Sequence, residues 1–346
     1  MKAAAIKRYG LPPQLEWVEK PLAAPQGNAL RVRVMRSSIN DWDAGMVTGK
    51  PFFMRALYGL VKPNRITPGC DVAGVVDAVG PDVRHFAKGD NVYGDLHGDG
   101  FGAFATHVCA PESAFRRVPP NLTWDQAGAL PHALTLAWQG LNRYRKPKDG
   151  QHVLINGAGG GVGPLVLQLV RDRAAQVTGV DHGDKSEQLL SIGFDRALDY
   201  RVTDFTRTGE KYDWIFDVKS TRGPSACARA LNPGGTYVTV GGSMWRIAQI
   251  VLSRRWFARR HDKHLHLLTL NANEGLNELY DALADGRIRP ALEGPYPLSD
   301  LQSVLERFIE ARHFGKIVIA PNASHKPGPT ARSSSILPPA RIRRGA

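Results

Sequence analysis

The chain has 346 residues, 42% of them hydrophobic and 22% charged, which is enough apolar material for two ordinary domains. No stretch approaches the roughly 18 apolar residues of a helical membrane span, and the first apolar run stops at Lys7, too early for a secretory signal, so a cytoplasmic protein is expected. The formal charge of +13 gathers in residues 243–266 and from Pro321 onward, with no zinc-finger spacing or aromatic interleaving; it reads as solvated surface or as attraction for an anionic cofactor, and no nucleic-acid partner is expected.

Residues 1–125 read as β-rich. LRVRVMRSSI alternates apolar and other residues as a half-buried strand does, and VAGVVDAVG and DNVYGDLHG are strand-like runs bounded by glycine. Cys70, Cys109 and Cys227 form no CxxC pair, which argues against a disulfide framework and a cysteine-built zinc site. From about Leu122 the pattern changes. TWDQAGALPHALTLAWQGLNRYR has helical periodicity, with Thr123 and Gln126 placed as a capping box. Strands at 152–156, 175–181, 213–218, 236–242 and 266–270 then alternate with helices, the pattern of a parallel sheet covered on both faces. After Asn273 a helix (NEGLNELYDALADG), a strand, a second helix (LQSVLERFIEARHF) and the strand GKIVIA are extra to such a sheet, so they are expected to return and complete the first domain. The Ser-, Pro- and Arg-rich tail, 321–346, is expected to be disordered.

The strongest local signal is QHVLINGAGGGVGPLVLQLV, a strand running into a glycine-rich turn that opens an apolar helix. Without Cβ atoms, Gly160 and Gly161 let the backbone approach a pyrophosphate, with Ala158 and Val162 completing the turn. Gly163 brings the helix close to the strand. The next strand ends at Asp181, 18 residues after Gly163, where a ribose-binding acid belongs. A carboxylate there favours NAD(H), whereas Lys185 would attract the 2′-phosphate of NADP.

PGCDVAGVVDAVGPDVRHFAKGDNVYG (68–94), INDWDAGMVTG (39–49), GAFATHV, DRALDY, YDWIFDV, ALNPGGTYVTVGG and GKIVI follow one another in a particular order. With them the chain resembles the medium-chain dehydrogenase/reductase superfamily, and more narrowly its zinc-less quinone oxidoreductase and enone reductase branch, over about residues 1–320. The resemblance implies an α/β fold: a Rossmann doubly wound parallel sheet at 126–272, plus a β-rich GroES-like substrate domain at 1–125 completed by 273–320. It adds Tyr200 and Gly241 to the cofactor residues and implies a homodimer. Zinc-dependent relatives carry metal ligands at positions matching Asn40, Cys70 and His132; Asn is a poor zinc ligand, so no metal is expected. Were Cys70 and His132 to meet, Asp71 would be their partner in a residual site. Leu136, Lys219 and Ser220 depart from the family pattern near the expected nicotinamide.

What the resemblance implies chemically is hydride transfer from NAD(P)H to a quinone or α,β-unsaturated carbonyl. The acceptor carbon is already electron-poor, so the protein need only align the partners and donate hydrogen bonds to the developing oxyanion. Asn40 is the expected polar group at the substrate, and Asp43 the residue that orients the backbone beside it. Pocket-forming loops are expected at 50–66 and 243–262. The competing readings are an alcohol dehydrogenase with a residual metal site, and a non-catalytic cofactor- or nucleic-acid-binding protein on the same fold.

Overall fold

A computed structural model describes residues 1–61, 63–64 and 66–322. The basic tail expected to be disordered lies, from residue 323 on, outside the described residues. Contacts divide the chain into two units. Unit 1 holds Met1–Thr135, Asn271–Gly286 and the described chain from Leu292; unit 2 holds Leu136–Leu270 and Arg287–Ala291.

Unit 1 contains strands β1 (Lys2–Arg8), β2 (Gln14–Glu19) and β3 (Ala29–Ser38), helices α1 (Asp41–Thr48) and α2 (Phe53–Tyr58), then β4 (Asp71–Val79), β5 (Asn91–Asp95), β6 (His107–Pro111) and β7 (Arg116–Arg117). Helix α3 (Trp124–Ala129) follows, and α4 (Pro131–Asn142) runs on into unit 2. The alternation in β3 does what period-2 patterning requires. Leu30, Val32 and Val34 point into a core with Val72, Val76 and Val92. Thr123 caps α3 as expected, its hydroxyl accepting from the Gln126 N–H at 3.2 Å while Gln126 Oε1 accepts from the Thr123 N–H at 3.0 Å. The single helix expected from residue 123 is in fact two. Pro131 has no N–H to continue the ladder and restarts the chain as α4. The expected domain start at 126 is also displaced, because α3 packs on β3 and β4, held by the Arg36–Asp125 ion pair at 2.5 Å.

Unit 2 contains β8 (His152–Asn156), α5 (Gly163–Val170), β9 (Gln176–Asp181), α6 (Ser186–Ser191), β10 (Arg196–Asp199), β11 (Tyr212–Asp217), α7 (Pro224–Arg229), β12 (Leu231–Thr239), α8 (Met244–His261) and β13 (His264–Leu267). Its parallel sheet has the order β10-β9-β8-β11-β12-β13, so the strand order reverses between β8 and β11. Residues 243–262, expected to be a loop, are instead the 18-residue helix α8. Ser243 caps it, and Ile250 and Phe257, seven residues apart, bury its inner side.

The chain then returns to unit 1 with α9 (Tyr280–Ala284), β14 (Leu292–Pro297), α10 (Leu301–Ile309) and β15 (Lys316–Ala320). Strand β15 pairs antiparallel with β3, Val318 opposite Ser38, and extends that sheet. Helix α9 is shorter than the sequence suggests. Asn273, at φ 62°, is left-handed, and its side-chain amide pairs with the backbone of Asp95 (2.7 and 3.0 Å), which spends it on a neighbouring strand.

Candidate active site

Two groups of residues, one in each unit, are the candidates for the site. The first lies at the carboxyl ends of β8, β9 and β12. Here the turn 157–163 hangs from β9, the N–H groups of Gly157 and Ala158 both donating to the Val180 carbonyl at 2.9 and 3.1 Å. Ala158 and Val162 are buried, while Gly160 and Gly161 are half-exposed at the tip of the turn. The glycines there answer to different constraints. A Cβ on Gly163 would fall 2.4 Å from the Ala158 carbonyl oxygen, so the fold itself demands glycine. A Cβ on Gly160 would meet nothing nearer than the Gly157 oxygen at 3.5 Å, an ordinary contact. The missing side chain at Gly160 therefore leaves space that the protein itself does not use, as a backbone cradle for a pyrophosphate does.

Asp181 ends β9, with its carboxylate under this turn. It accepts from the N–H groups of Gly159 and His182, both at 2.8 Å, and sits 3.0 Å from Lys185 Nζ, with both side chains about nine-tenths buried. Tyr200, half-exposed, donates its N–H to the Asp181 carbonyl and lies edge-on to His182. Gly241 follows β12, its carbonyl accepting from Thr239 Oγ1 at 2.7 Å. At the reversal point lies a buried network that no sequence pattern marks. Asn156 Nδ2 and Tyr237 OH donate to the two oxygens of Asp217 at 2.8 and 2.6 Å, and Ser220 Oγ joins Tyr237 OH at 3.0 Å. Burial raises the Asp217 carboxyl, against the hydrogen bonds that it accepts.

The second group, in unit 1, gathers Asn40, Asp43, Cys70, Asp71, Asp95, His132 and Lys316, all buried. Asn40 caps α1. Asp43 accepts from the N–H groups of Asn40 at 2.8 Å and Gly69 at 2.7 Å. Burial pushes the Asp43 carboxyl up to about 7, against those two N–H groups and Lys316. The Asn40 amide is fully engaged: its Nδ2 donates to Asp71 Oδ2 at 2.8 Å, Cys70 Sγ at 3.1 Å and the Ser38 carbonyl at 3.3 Å, while its Oδ1 accepts from Lys316 Nζ at 2.5 Å. Lys316 was not anticipated. Its three N–H bonds meet three acceptors, Asn40 Oδ1, Asp71 Oδ2 at 2.9 Å and the Ile39 carbonyl at 3.1 Å.

Asp95 and His132 form a neighbouring pair, Nδ1 to Oδ2 at 2.7 Å. Burial lowers the imidazole, but the adjacent carboxylate more than reverses this, so His132 is raised. Burial likewise raises Asp95, and His132 outweighs it, holding that carboxyl well below its ordinary range. With Nδ1–H donating to Asp95, the other ring nitrogen accepts in the neutral ring and donates in the imidazolium, the form that the raised pKa favours.

Metal chemistry can be tested on the same residues. Cys70, Asp95 and His132 offer sulfur, oxygen and nitrogen donors within 4.8 Å of one another, a set that suits zinc. Cys70 and His132 thus meet, but with Asp95, because Asp71 faces Lys316. In this arrangement the donors are occupied: Cys70 Sγ by Asn40, and the Asp95 oxygens by the His97 N–H at 2.9 Å and by His132. Burial, followed by the charges of Asp71, Asp95 and Asp43, pushes the Cys70 thiol well up, away from the thiolate that a metal requires.

Residues 26–120 match the alcohol dehydrogenase GroES-like domain family, and residues 192–319 the zinc-binding dehydrogenase family. The chain belongs to the medium-chain dehydrogenase/reductase family of NAD(P)-dependent oxidoreductases. It is similar to a 2-methylene-furan-3-one reductase of Solanum lycopersicum, 28% identical over 93% of this chain and 79% of the relative. An NADPH-dependent alkenal/one oxidoreductase of Arabidopsis thaliana is 27% identical over 93% and 80%. Among solved structures, the quinone oxidoreductase of Coxiella burnetii shares the fold, with a TM-score of 0.80 at 24% identity over 92% of this chain and 99% of that one. Among the described residues no helix is long and apolar enough to cross a membrane.

Proposed function

We propose that this member of the family transfers hydride from NAD(P)H to a small α,β-unsaturated carbonyl or quinone, without a metal. The observation that carries the reading is the Gly160 turn, whose backbone is left bare at a point where the fold leaves room for a side chain. In support of metal-free chemistry, the buried carboxylate Asp71 already has a cation, Lys316, and the zinc-type donors are taken up in hydrogen bonds, Cys70 with Asn40 and Asp95 with His132. His132 as the imidazolium, the form that the neighbouring Asp95 carboxylate favours, is the group suited to donate a hydrogen bond to the oxyanion that forms as hydride arrives. Asn40 and Asp43 are positioning residues: one ties Lys316 to Asp71, the other fixes the loop at Gly69. The printed activities of the tomato and Arabidopsis relatives agree with this substrate class. NADH and NADPH oxidation against a panel of enones and quinones, with elemental analysis of the same sample, tests it. No turnover on any of them defeats the reading; about one zinc per chain, with turnover lost to a chelator, would favour the alternative of an alcohol dehydrogenase with metal at Cys70, Asp95 and His132.

For the cofactor we propose NAD(H) with only a modest margin over NADP(H). Asp181 lies where a ribose-binding acid belongs, but Lys185 at 3.0 Å offsets its charge, so a 2′-phosphate would meet a pair that is close to neutral. Asp181→Ser frees Lys185. Its expected effect is a gain of about tenfold in kcat/KM for NADPH, with NADH falling several-fold, corresponding to roughly 1.4 kcal/mol of recovered interaction. Unchanged cofactor ratios in that variant would place the ribose away from Asp181.

A further inference from the structure

Helix α8 is built unlike the other helices that cover the sheet of unit 2. Over its 18 residues it has five arginines, at 246, 254, 255, 259 and 260, and no acid. Ile250 and Phe257 anchor its inner side among Leu231, Tyr237 and Leu265. Trp245, Leu252 and Trp256 are 68%, 82% and 53% exposed. Spaced i, i+7 and i+11, they share one face of the helix, about a third of a turn away from the buried pair. Arg255 and Arg259 border that stripe on one side and Arg260 on the other. An open depression of about 460 Å³, walled by Pro224, Trp245, Gln249 and Leu252 among others, runs beside it. Single exposed apolar residues need no explanation, but two tryptophans and a leucine in register on one charged helix do.

We propose that this face of α8 seats the protein on an anionic lipid surface, with Trp245, Leu252 and Trp256 entering the boundary between headgroups and acyl chains. Tryptophan favours that boundary because its ring is apolar and its N–H is not. Arginines flanking an apolar stripe can lay their stems along it and carry their guanidinium groups up to the phosphates. Charge decides between occupants. A second copy docked through the same face would set Arg255, Arg259 and Arg260 against their own copies, with no acid on either helix. An anionic bilayer presents the complementary sign over the whole face, and each arginine near such a surface strengthens partitioning about fivefold.

The test is co-sedimentation of the full chain with vesicles of phosphatidylcholine alone and of phosphatidylcholine containing about one third phosphatidylglycerol. Binding is expected to the second and to be weak on the first, and to fall steeply with salt. Trp245→Ser/Leu252→Ser/Trp256→Ser is expected to reduce it at least tenfold. Arg255→Gln/Arg259→Gln/Arg260→Gln is expected to reduce it about 100-fold. These side chains are on the surface, so both variants should keep the wild-type thermal transition; if one fails to fold, the other decides. Failure of the wild type to bind anionic vesicles would overturn the proposal. So would binding that both variants retain, since the tail beyond residue 322 would then be the ligand for lipid. A wild-type dimer that either variant dissociates would likewise overturn it, by making the face a contact between copies.

Discussion

Replacing Lys316 with methionine is expected to lower the stability of unit 1 by about 3–5 kcal/mol. The ammonium is 3% exposed, and its partner Asp71 has no exposure at all. All three of its N–H bonds are used, on Asn40, Asp71 and the Ile39 carbonyl. Methionine keeps the length and volume of the chain but leaves the Asp71 carboxylate buried without a cation, a loss that the remaining donors, Ser38 Oγ at 2.6 Å, Asn40 Nδ2 and the His132 N–H at 2.7 Å, do not cancel. Chemical denaturation of the cofactor-free protein measures it. The double variant Lys316→Met/Asp71→Asn removes both charges and should be less destabilised than the sum of the single changes. A single variant within about 1 kcal/mol of wild type would show that Asp71 is balanced by some other group.

The two units were unequally legible. In unit 2 the elements of the candidate dinucleotide site are local: strand, glycine turn, helix and the next strand end occupy 152–181 without interruption, and the structure places β8 at the residues the pattern marks. What escaped was the buried network on Asp217, because Asn156, Asp217 and Tyr237 lie on three strands brought together only by the sheet order. Helix α8 escaped for another reason. Its inward residues Ile250 and Phe257 are two in eighteen, too few for an apolar period to stand out among arginines.

Unit 1 shows the limit more sharply. Asn40 and Asp43 are three residues apart at the start of one helix, and both could be found from sequence. Lys316 is 276 residues from Asn40, in a strand that reads as ordinary edge sequence with one surface lysine. Only the pairing of β15 with β3 carries its ammonium to Asp71. Asp95 sits in YGDLHGDG, where Asp95, His97 and Asp99 alternate with a leucine and a glycine, and a turn explains it as well as a site does; the approach of His132 over 37 residues of sequence makes the difference. Charges that pair over long separations leave no periodic trace, since each partner looks solvated on its own.

Gly160→Val is expected to weaken NADH and NADPH binding by at least about 100-fold, with little change in the folded chain. Nothing in the protein objects to a side chain there. The nearest atom to a Cβ is 3.5 Å away, and Gly160 is not among the glycines with left-handed backbone. Any objection would have to come from a ligand, and a pyrophosphate lying against the turn would meet the valine directly. Gly163→Val is the contrasting variant. Its Cβ would collide with the Ala158 carbonyl oxygen at 2.4 Å, so it should unseat the turn from α5 and destabilise unit 2 with or without cofactor. Fluorescence titration with NADH and thermal unfolding, on both variants, separate the two effects. A folded Gly160→Val protein with wild-type affinity for both cofactors would mean that the bare backbone at the tip of this turn does not face a pyrophosphate, and the assignment of unit 2 would fall with it.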